Sequence, residues 1–456
     1  MGHISEERSR SMHGIFETVA GCDQSMFSPE LNVSPEERSM PPFLAMNDFY
    51  CDLVRSGVIT LSKGRLESLE GNTAIFSPDN DKIDDIAAVV IASGFDPAST
   101  LDYLPAPDLE TLQMSRKHPN LPIALAFHGT HHPKVPGLGF VGYYRGPYWG
   151  VMQMQAQFLA KLWSDASPSE ALLSALKDDN SIQRTLDLRD DPRMSQFPTD
   201  YVFQMQKFAS ALSIDPFWSS PEKLPKLSHN DMPLELLIPS NLSGNHPSNE
   251  VRECARTLVE DMHRTTINSF TTPQFVSWAV FRSLLGTWKL ERDLRSALPS
   301  YPSGRFSGTA RFLIREKTAD GLKCAPDDMG SSSIDQGGLE YLYIEEGDFR
   351  ADNGMVFQAS RRYIWRYDDR KDKISVWFAK PEEPKRADYL FHEIEFTQPE
   401  TRENGWPAKA GHLCIDDFYD VKYNFAFNAV NLDRWSIEYA VKGPKKDYTI
   451  HGVYTR

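Results

Sequence analysis

Apolar positions recur at helical spacing before Phe281 and at alternating, strand-like spacing after it, and this change divides the chain. Ser34, Pro35 and Glu37 form a capping box with proline at the first helical position, which predicts a helix starting there after an irregular amino terminus. A second helix is predicted over Asp48 to Ser56, ahead of a β-meander of Val58 to Leu61, Arg65 to Leu69 and Thr73 to Phe76, the last two joined at a Gly71-Asn72 turn. The run Ile86 to Ala92 is continuously apolar, as a strand is when both of its faces are buried in an α/β sheet, and it stops at Ser93-Gly94. Glycine at the carboxyl end of such a strand allows a ligand or another backbone to approach; a plain exit into a loop explains it equally well.

Helical periodicity returns over Val151 to Trp163, again where Ser167-Pro168-x-Glu170 caps a segment running to Leu176, and on the stripe Tyr201, Met205, Phe208 and Leu212. Pro216 to Pro247 is proline-rich and polar, an irregular connector. A fourth helix is predicted with Val251, Ala255, Leu258 and Met262 on one side. From Phe281 onward, short alternating segments rich in aromatic residues run from Gly286 to Glu291 through to Tyr448 to Tyr454, broken by Gly, Asp and Asn. Eight to ten such strands predict a closed barrel, which leaves no exposed edges.

Composition narrows the classes. A length of 456 residues implies two or three domains at about 150 residues each. The formal charge of -14 argues against phosphate backbones and anionic lipid as partners, because both select clustered Lys and Arg. No apolar run approaches the roughly 20 residues that span a bilayer, and MGHISEERSR has no apolar signal core, so a soluble cytoplasmic protein is expected. Cys22, Cys51, Cys254, Cys324 and Cys414 are scattered and indicate neither a disulfide framework nor a zinc site. GLGFVG, with Gly137, Gly139 and Gly142, satisfies G-x-G-x-x-G in the wrong context, since Gly139 to Tyr144 is itself strand-like and the next helix begins only near Trp149.

The segments VVIASGFDP from Val89 to Pro97, PGLGFVGYYRGPYWGVMQMQAQ from Pro136 to Gln157 and DDPRMSQFPTDY from Asp190 to Tyr201 resemble the carboxyl half of flavin-containing monooxygenases, over roughly Asn32 to Pro239. The resemblance implies an oxidoreductase using FAD and NADPH, with Ser93, Gly94, Phe95, Asp96, Gly142 and Gln155 on the cofactor side. That family's two upstream glycine-rich loops have no counterpart in this chain, so the resemblance also implies a partner supplying the nucleotide-binding half, a remnant, or a chain that begins too late. LLGTW from Leu284, HLCIDDFY from His412 and GPKKDY from Gly443 resemble a fungal family of lipocalin-like proteins. In such barrels a tryptophan opening the first strand plugs one end and a late arginine stacks on it, which assigns Trp288 and Arg456, both also expected, with Arg366, to contact the ligand. The expected fold is α+β and multi-domain: a partial FAD/NAD(P)-binding α/β region with a helical tail in residues 1–245, a helical linker in 246–280, and an all-β lipocalin-like barrel in 281–456.

Candidate chemistry falls in three places. His128, His131 and His132 cluster in FHGTHHP, but no carboxylate or cysteine stands at ligand spacing and no metal is expected. His412 and Cys414 share a strand face, followed by Asp417 and Tyr419; His412 with Asp417 would serve as a general acid–base pair and Tyr419 would orient a ligand, unless they merely satisfy buried backbone groups at a turn. Arg361, Arg362, Tyr363, Trp365 and Arg366 alternate basic and aromatic residues, suited to a mouth for an aromatic or anionic ligand or to one wet strand face, with Arg366 taken as the contact; Lys445 and Lys446 fit a solvated turn. Three functions follow: a flavin-monooxygenase-related oxygenase of specialised metabolism acting on a small organic substrate, a barrel that binds, isomerises or cyclises a small molecule beside a degenerate oxygenase scaffold, and an accessory subunit of a split oxygenase.

Overall fold

The computed structural model describes residues 2–456 apart from 44, 46, 48, 79, 93, 144–147, 165–167, 195–200, 218–237, 244–245, 247, 299–301, 319–338 and 400–404. Contacts divide the chain into two units, one of residues 1–13, 34–44 and 64–267 and the other of residues 14–33, 45–63 and 268–456. Helices α1 (Glu6–Ala20), α2 (Pro35–Ser39) and α3 (Tyr50–Arg55) open the chain. The capping box at Ser34 and Glu37 forms with both of its hydrogen bonds. The amino terminus, expected to be irregular, is a helix that carries its own acidic first turn in Glu6 and Glu7.

In the first unit, β1 (Arg65–Glu70), β2 (Thr73–Ser77) and β3 (Asp81–Ile83) form an antiparallel meander with its turn at Gly71-Asn72. Next come α4 (Ala106–Thr111), α5 (Trp149–Ser164), α6 (Glu170–Lys177), α7 (Ser181–Leu188), α8 (Tyr201–Leu212) and α9 (Asn249–Thr271). The buried face of α5, with Val151, Met154, Gln155, Phe158 and Leu159, has i, i+3, i+4 spacing. It packs against Met205 and Phe208 of α8, with Phe127 stacked on Phe158 at 4.3 Å.

Several expectations are corrected in this unit. Val58 to Leu61 is irregular. Ile86 to Ala92 is no buried strand: it joins no sheet, and Val90 and Ile91 are 88% and 84% exposed. A strand buried on both faces needs flanking parallel strands with helices over them, and the described strands here form one small antiparallel sheet instead. Gly139 makes only an isolated bridge to His131. Ser169, rather than Ser167, which lies outside the described residues, accepts the capping bond from Leu172 N–H. Helix α9 turns Ala255 and Val259 inward and leaves Val251, Leu258 and Met262 exposed, a phase shift of one position.

The second unit contains α10 (Val276–Leu284) and a closed barrel of ten antiparallel strands: β4 (Gly286–Ser296), β5 (Gly304–Glu316), β6 (Leu339–Ala351), β7 (Val356–Asp368), β8 (Lys373–Ala379), β9 (Ala387–Phe396), β10 (Trp406–Cys414), β11 (Asp417–Asn428), β12 (Asn431–Lys442) and β13 (Asp447–Thr455). Each strand pairs with its neighbours in sequence, and β13 closes the ring on β4. Alternation builds the wall: on β4, Gly286, Trp288 and Leu290 are buried while Thr287, Lys289 and Glu291 are exposed. Gly308 and Gly347 face each other across β5 and β6, where a Cβ on Gly308 would lie 2.3 Å from the Glu346 carbonyl oxygen, so only glycine permits this close approach.

One end of the barrel is plugged. Phe281 of α10 stacks on Tyr341 at 4.2 Å, and Val280 and Leu284 join the same core. Trp288 is fully buried and donates from Nε1 to the Leu284 carbonyl at 2.8 Å. The Arg456 guanidinium lies 3.9 Å from its ring centroid and donates from Nη2 to the carbonyls of Ser283, at 2.7 Å, and Leu285. The tryptophan–arginine plug expected from sequence is thus formed. Replacing Trp288 by alanine should cost about 3–5 kcal/mol of stability in denaturant unfolding of the full chain, against less than about 0.5 kcal/mol for the exposed Leu413→Ala.

Candidate functional site

Inward positions in the middle of the barrel are polar, although both flanks of the core are apolar. Arg292 of β4 donates from Nη1 and Nη2 to the two carboxylate oxygens of Glu345 on β6, each at 2.7 Å. Tyr343 donates its hydroxyl to Glu345 at 2.6 Å and lies 2.9 Å from the Tyr454 hydroxyl. The guanidinium holds the Glu345 carboxyl below its ordinary range despite burial, and burial raises the phenols of Tyr343, Tyr423 and Tyr439 well above theirs. At pH 7 this is an ion pair ringed by neutral hydroxyls. These groups, with Arg361, Tyr363, Trp365 and Trp435, line a cavity of 30 Å³. Arg292 Nε and the indole N–H groups of Trp365 and Trp435 are buried there without a hydrogen-bond partner.

The wall beside this cavity is incomplete. Strand β9 pairs with β10 only at Phe396↔Ala408 and Glu395↔Lys409, after which the two part. The cause lies in β9, whose register against β8 slips around Phe391, so that consecutive Phe391 and His392 are both buried and the edge bends away. The resulting opening, of 550 Å³, is lined by Phe391, His392, Ala410, Gly411, His412 and Leu413 among others. His392 is only 2% exposed; its Nε2 lies 2.7 Å from the Tyr423 hydroxyl, and its Nδ1 has no partner. Burial pushes its pKa down from 6.5 to about 3, so the ring is neutral at pH 7.

The residues expected to act in the barrel fall into three groups. His412 is half-buried at this opening, its ring 5.1 Å from Phe391 and 6.1 Å from Tyr419, and burial lowers its pKa. Tyr419 accepts a hydrogen bond from Lys446 Nζ at 2.7 Å, while Asp417 accepts from the Lys445 amide at 3.2 Å and lies 3.7 Å from Lys446 Nζ. Asp417 is therefore partnered by the lysine turn, and no hydrogen bond joins it to His412 among the described residues. Trp288 and Arg456 sit at the plugged end. Arg366 is on the outer face, paired with Glu340 at 2.8 Å and over the Trp377 ring at 4.8 Å; the arginine of that strand that lines the cavity is Arg361. Arg292, Glu345, Tyr343, Tyr423 and His392 were not anticipated. Alternation within each strand marked the parity of all but His392, whose strand slips, and cross-strand register alone brings them together.

Positions assigned to a flavin form no cradle in this chain. Ser93 lies outside the described residues, and Phe95 is 99% exposed on a loop. Asp96 accepts from Ala98 N–H at 3.0 Å, and Gly94 takes a positive φ with nothing near its Cα. The Gly142 amide donates to Gln155 Oε1 at 2.8 Å, and Gln155 Nε2 donates to the His128 carbonyl at 3.0 Å, so both are committed to holding the loop on α5. No strand, glycine loop and helix follow one another as a pyrophosphate site among the described residues, and the residues present do not fit FAD or NADPH on their own. A cleft of 850 Å³ in this unit is lined by His128, Asp179, Ser181, Arg184, Phe203 and Lys207 among others. His128 is neutral there, its pKa pushed down to about 4 by burial. No group of three metal-ligating side chains occurs among the described residues. Cys22, Cys51, Cys254 and Cys414 are free, Cys324 lies outside the described residues, and no described helix is long and apolar enough to cross a membrane.

Residues 284–456 match a family model described as "Family of unknown function (DUF6314)". No curated protein matches the chain. Among solved structures, the S-type phycobiliprotein lyase CPES from Guillardia theta is similar over 39% of this chain and 90% of that chain, with 14% identity and a TM-score of 0.23, a likeness on which no reading of function rests.

Because the folded pKa of His392 lies below its ordinary 6.5, the stability it contributes is full above pH 6.5 and is lost as pH falls toward about 3. His392→Gln should flatten the fall of the urea midpoint across that window. An unchanged slope would show that the buried ring takes up its proton normally.

Proposed function

We propose that the barrel binds a small organic molecule in its polar interior. The three buried donors without partners, Arg292 Nε, Trp365 Nε1 and Trp435 Nε1, carry this reading. Leaving such a donor unpaired costs about 1–3 kcal/mol, which acceptor atoms of a ligand would recover. The cavity of 30 Å³ is about the share of one water in the liquid, so a ligand also takes up the space of the parted seam, with Tyr363 and the seam side chains giving way. The chemistry on offer is hydrogen bonding and proton transfer, His392 and Tyr423 forming a two-membered relay behind the opening. Binding, isomerising and cyclising a small molecule all draw on those groups.

The test uses the full chain and an aromatic fluorescent probe, 1-anilinonaphthalene-8-sulfonate, followed by energy transfer from tryptophan. One saturable site is expected. In Gly411→Phe, a bulky side chain in the lining of the opening should slow association by about tenfold or more, with the fold unchanged by circular dichroism. Association unaffected by the bulky side chain would place the entrance elsewhere, and absence of a saturable site would remove the reading itself.

A second reading is favoured by the exposed apolar residues Val89, Val90, Ile91 and Phe95. Contiguous exposed apolar residues mark interaction surfaces, and the resemblance to flavin-containing monooxygenases supports a partner that brings the nucleotide-binding half and takes Ile86 to Ala92 into its sheet. The chain alone, mixed with FAD and gel-filtered, should then retain no absorbance between roughly 350 and 500 nm. Retained flavin bands would overturn the need for a partner.

A further inference from the structure

Resting on the reading that the barrel interior is a binding site, we propose that its ligand is a planar aromatic anion, of the aryl carboxylate class, with its charged oxygens toward Arg292 and Arg361 and its ring system in the parted seam. The first ground is a count of inward-facing charges at mid-barrel. Arg292 and Arg361 face the cavity with one carboxylate, Glu345, between them. Glu345 spends both oxygens on Arg292 and accepts the Tyr343 hydroxyl as well. Arg361 stands opposite Glu345 in the register of β6 and β7, on the inward face and yet open to solvent. His392 is neutral, and at the rim Lys446 is offset by Asp417. Among the described residues, one positive charge therefore remains on the inward face, at the solvent-open edge of the pocket, where it attracts an anion.

The second ground is the sign of the unmet hydrogen bonds. Arg292 Nε, Trp365 Nε1 and Trp435 Nε1 can only donate. His392 joins them when its Nε2 accepts from the Tyr423 hydroxyl, because the neutral ring then carries its proton on Nδ1. A carboxylate oxygen can accept from any of these groups, whereas an ammonium, which only donates, answers none. The third ground is the wall. Tyr363 and Tyr439 each lie 14° from parallel to Phe391, Phe378 packs on Phe391 at 4.6 Å, and Tyr389 on Phe378 at 4.7 Å. Ring faces arranged in this way favour a flat π system over a branched aliphatic one.

The experiment titrates the full chain with 2-naphthoate, methyl 2-naphthoate and 2-naphthylmethylammonium, reading quenching of tryptophan emission. Naphthoate should bind about tenfold or more tighter than either other probe. Arg361→Met, at a solvent-open position, should bring naphthoate down to the level of the ester and leave the affinity for the ester unchanged, and Arg361→Lys should restore part of the preference. If the ester or the ammonium binds as tightly as naphthoate to the parent chain, the anionic class is overturned while a binding barrel stands. If none of the three binds saturably, both readings fall. If naphthoate is preferred but Arg361→Met, folded by circular dichroism, keeps the preference, the surplus charge is not its cause and the assignment of the carboxylate to this pocket is overturned.

Discussion

The pair formed by Arg292 and Glu345 governs the interior of the barrel. Taking two charges out of water is costly, and their attraction offsets that cost only with good geometry and with the remaining lone pairs occupied. Here the geometry is bidentate, and the Tyr343 and Tyr454 hydroxyls occupy the surroundings. Once the pair is in place its neighbours must be polar, which is why a ring of phenols stands where a barrel of this size would otherwise be filled with leucine and valine. It also sets the boundary between the plugged end, where Trp288, Phe281 and Tyr341 pack without charge, and the half that opens toward solvent.

The barrel was legible because alternation and turn residues both point to strands in residues 286–455, and the plug was legible only through the resemblance, which implied a tryptophan opening the first strand and an arginine after the last. The polar pocket was not, because its members come from six strands whose mutual register no single segment reports. Arg361 and Arg366 illustrate the difficulty: five residues apart on one strand, they face opposite sides, and the arginine chosen from sequence was the one on the outside. His412 and Asp417 are neighbours in sequence but take different partners because a turn lies between them. His392 was hidden for another reason. The slip in β9 breaks the alternation that would have marked it as inward.

In the helical unit the outcome is reversed. The stripes of α5 and α8 were visible and formed as expected, since a helix carries its own hydrogen bonds and needs only a partner face. The run Ile86 to Ala92 has the composition of a central strand but lacks the strands that would flank it, and composition cannot create a sheet that the rest of the chain does not supply. Gln155 shows how little spare capacity the expected cofactor residues have: it is wholly buried and both ends of its amide are engaged.

The parted seam has a consequence for how copies of this chain behave toward one another. A closed barrel has no free backbone edge, but where β9 and β10 separate, two short edges leave the ladder. Such edges invite strand addition from a second molecule and, from there, fibrous association. The outward side chains at this place include charged ones, Glu393 and Glu395 on one edge and Lys409 on the other, with Glu395 within 3.9 Å of Lys409 where the ladder ends, beside the exposed Leu390 and Leu413. A third strand entering the gap would have to desolvate those charges without matching them. Those charges oppose strand addition at the gap, and neutralising them trades solubility for self-association.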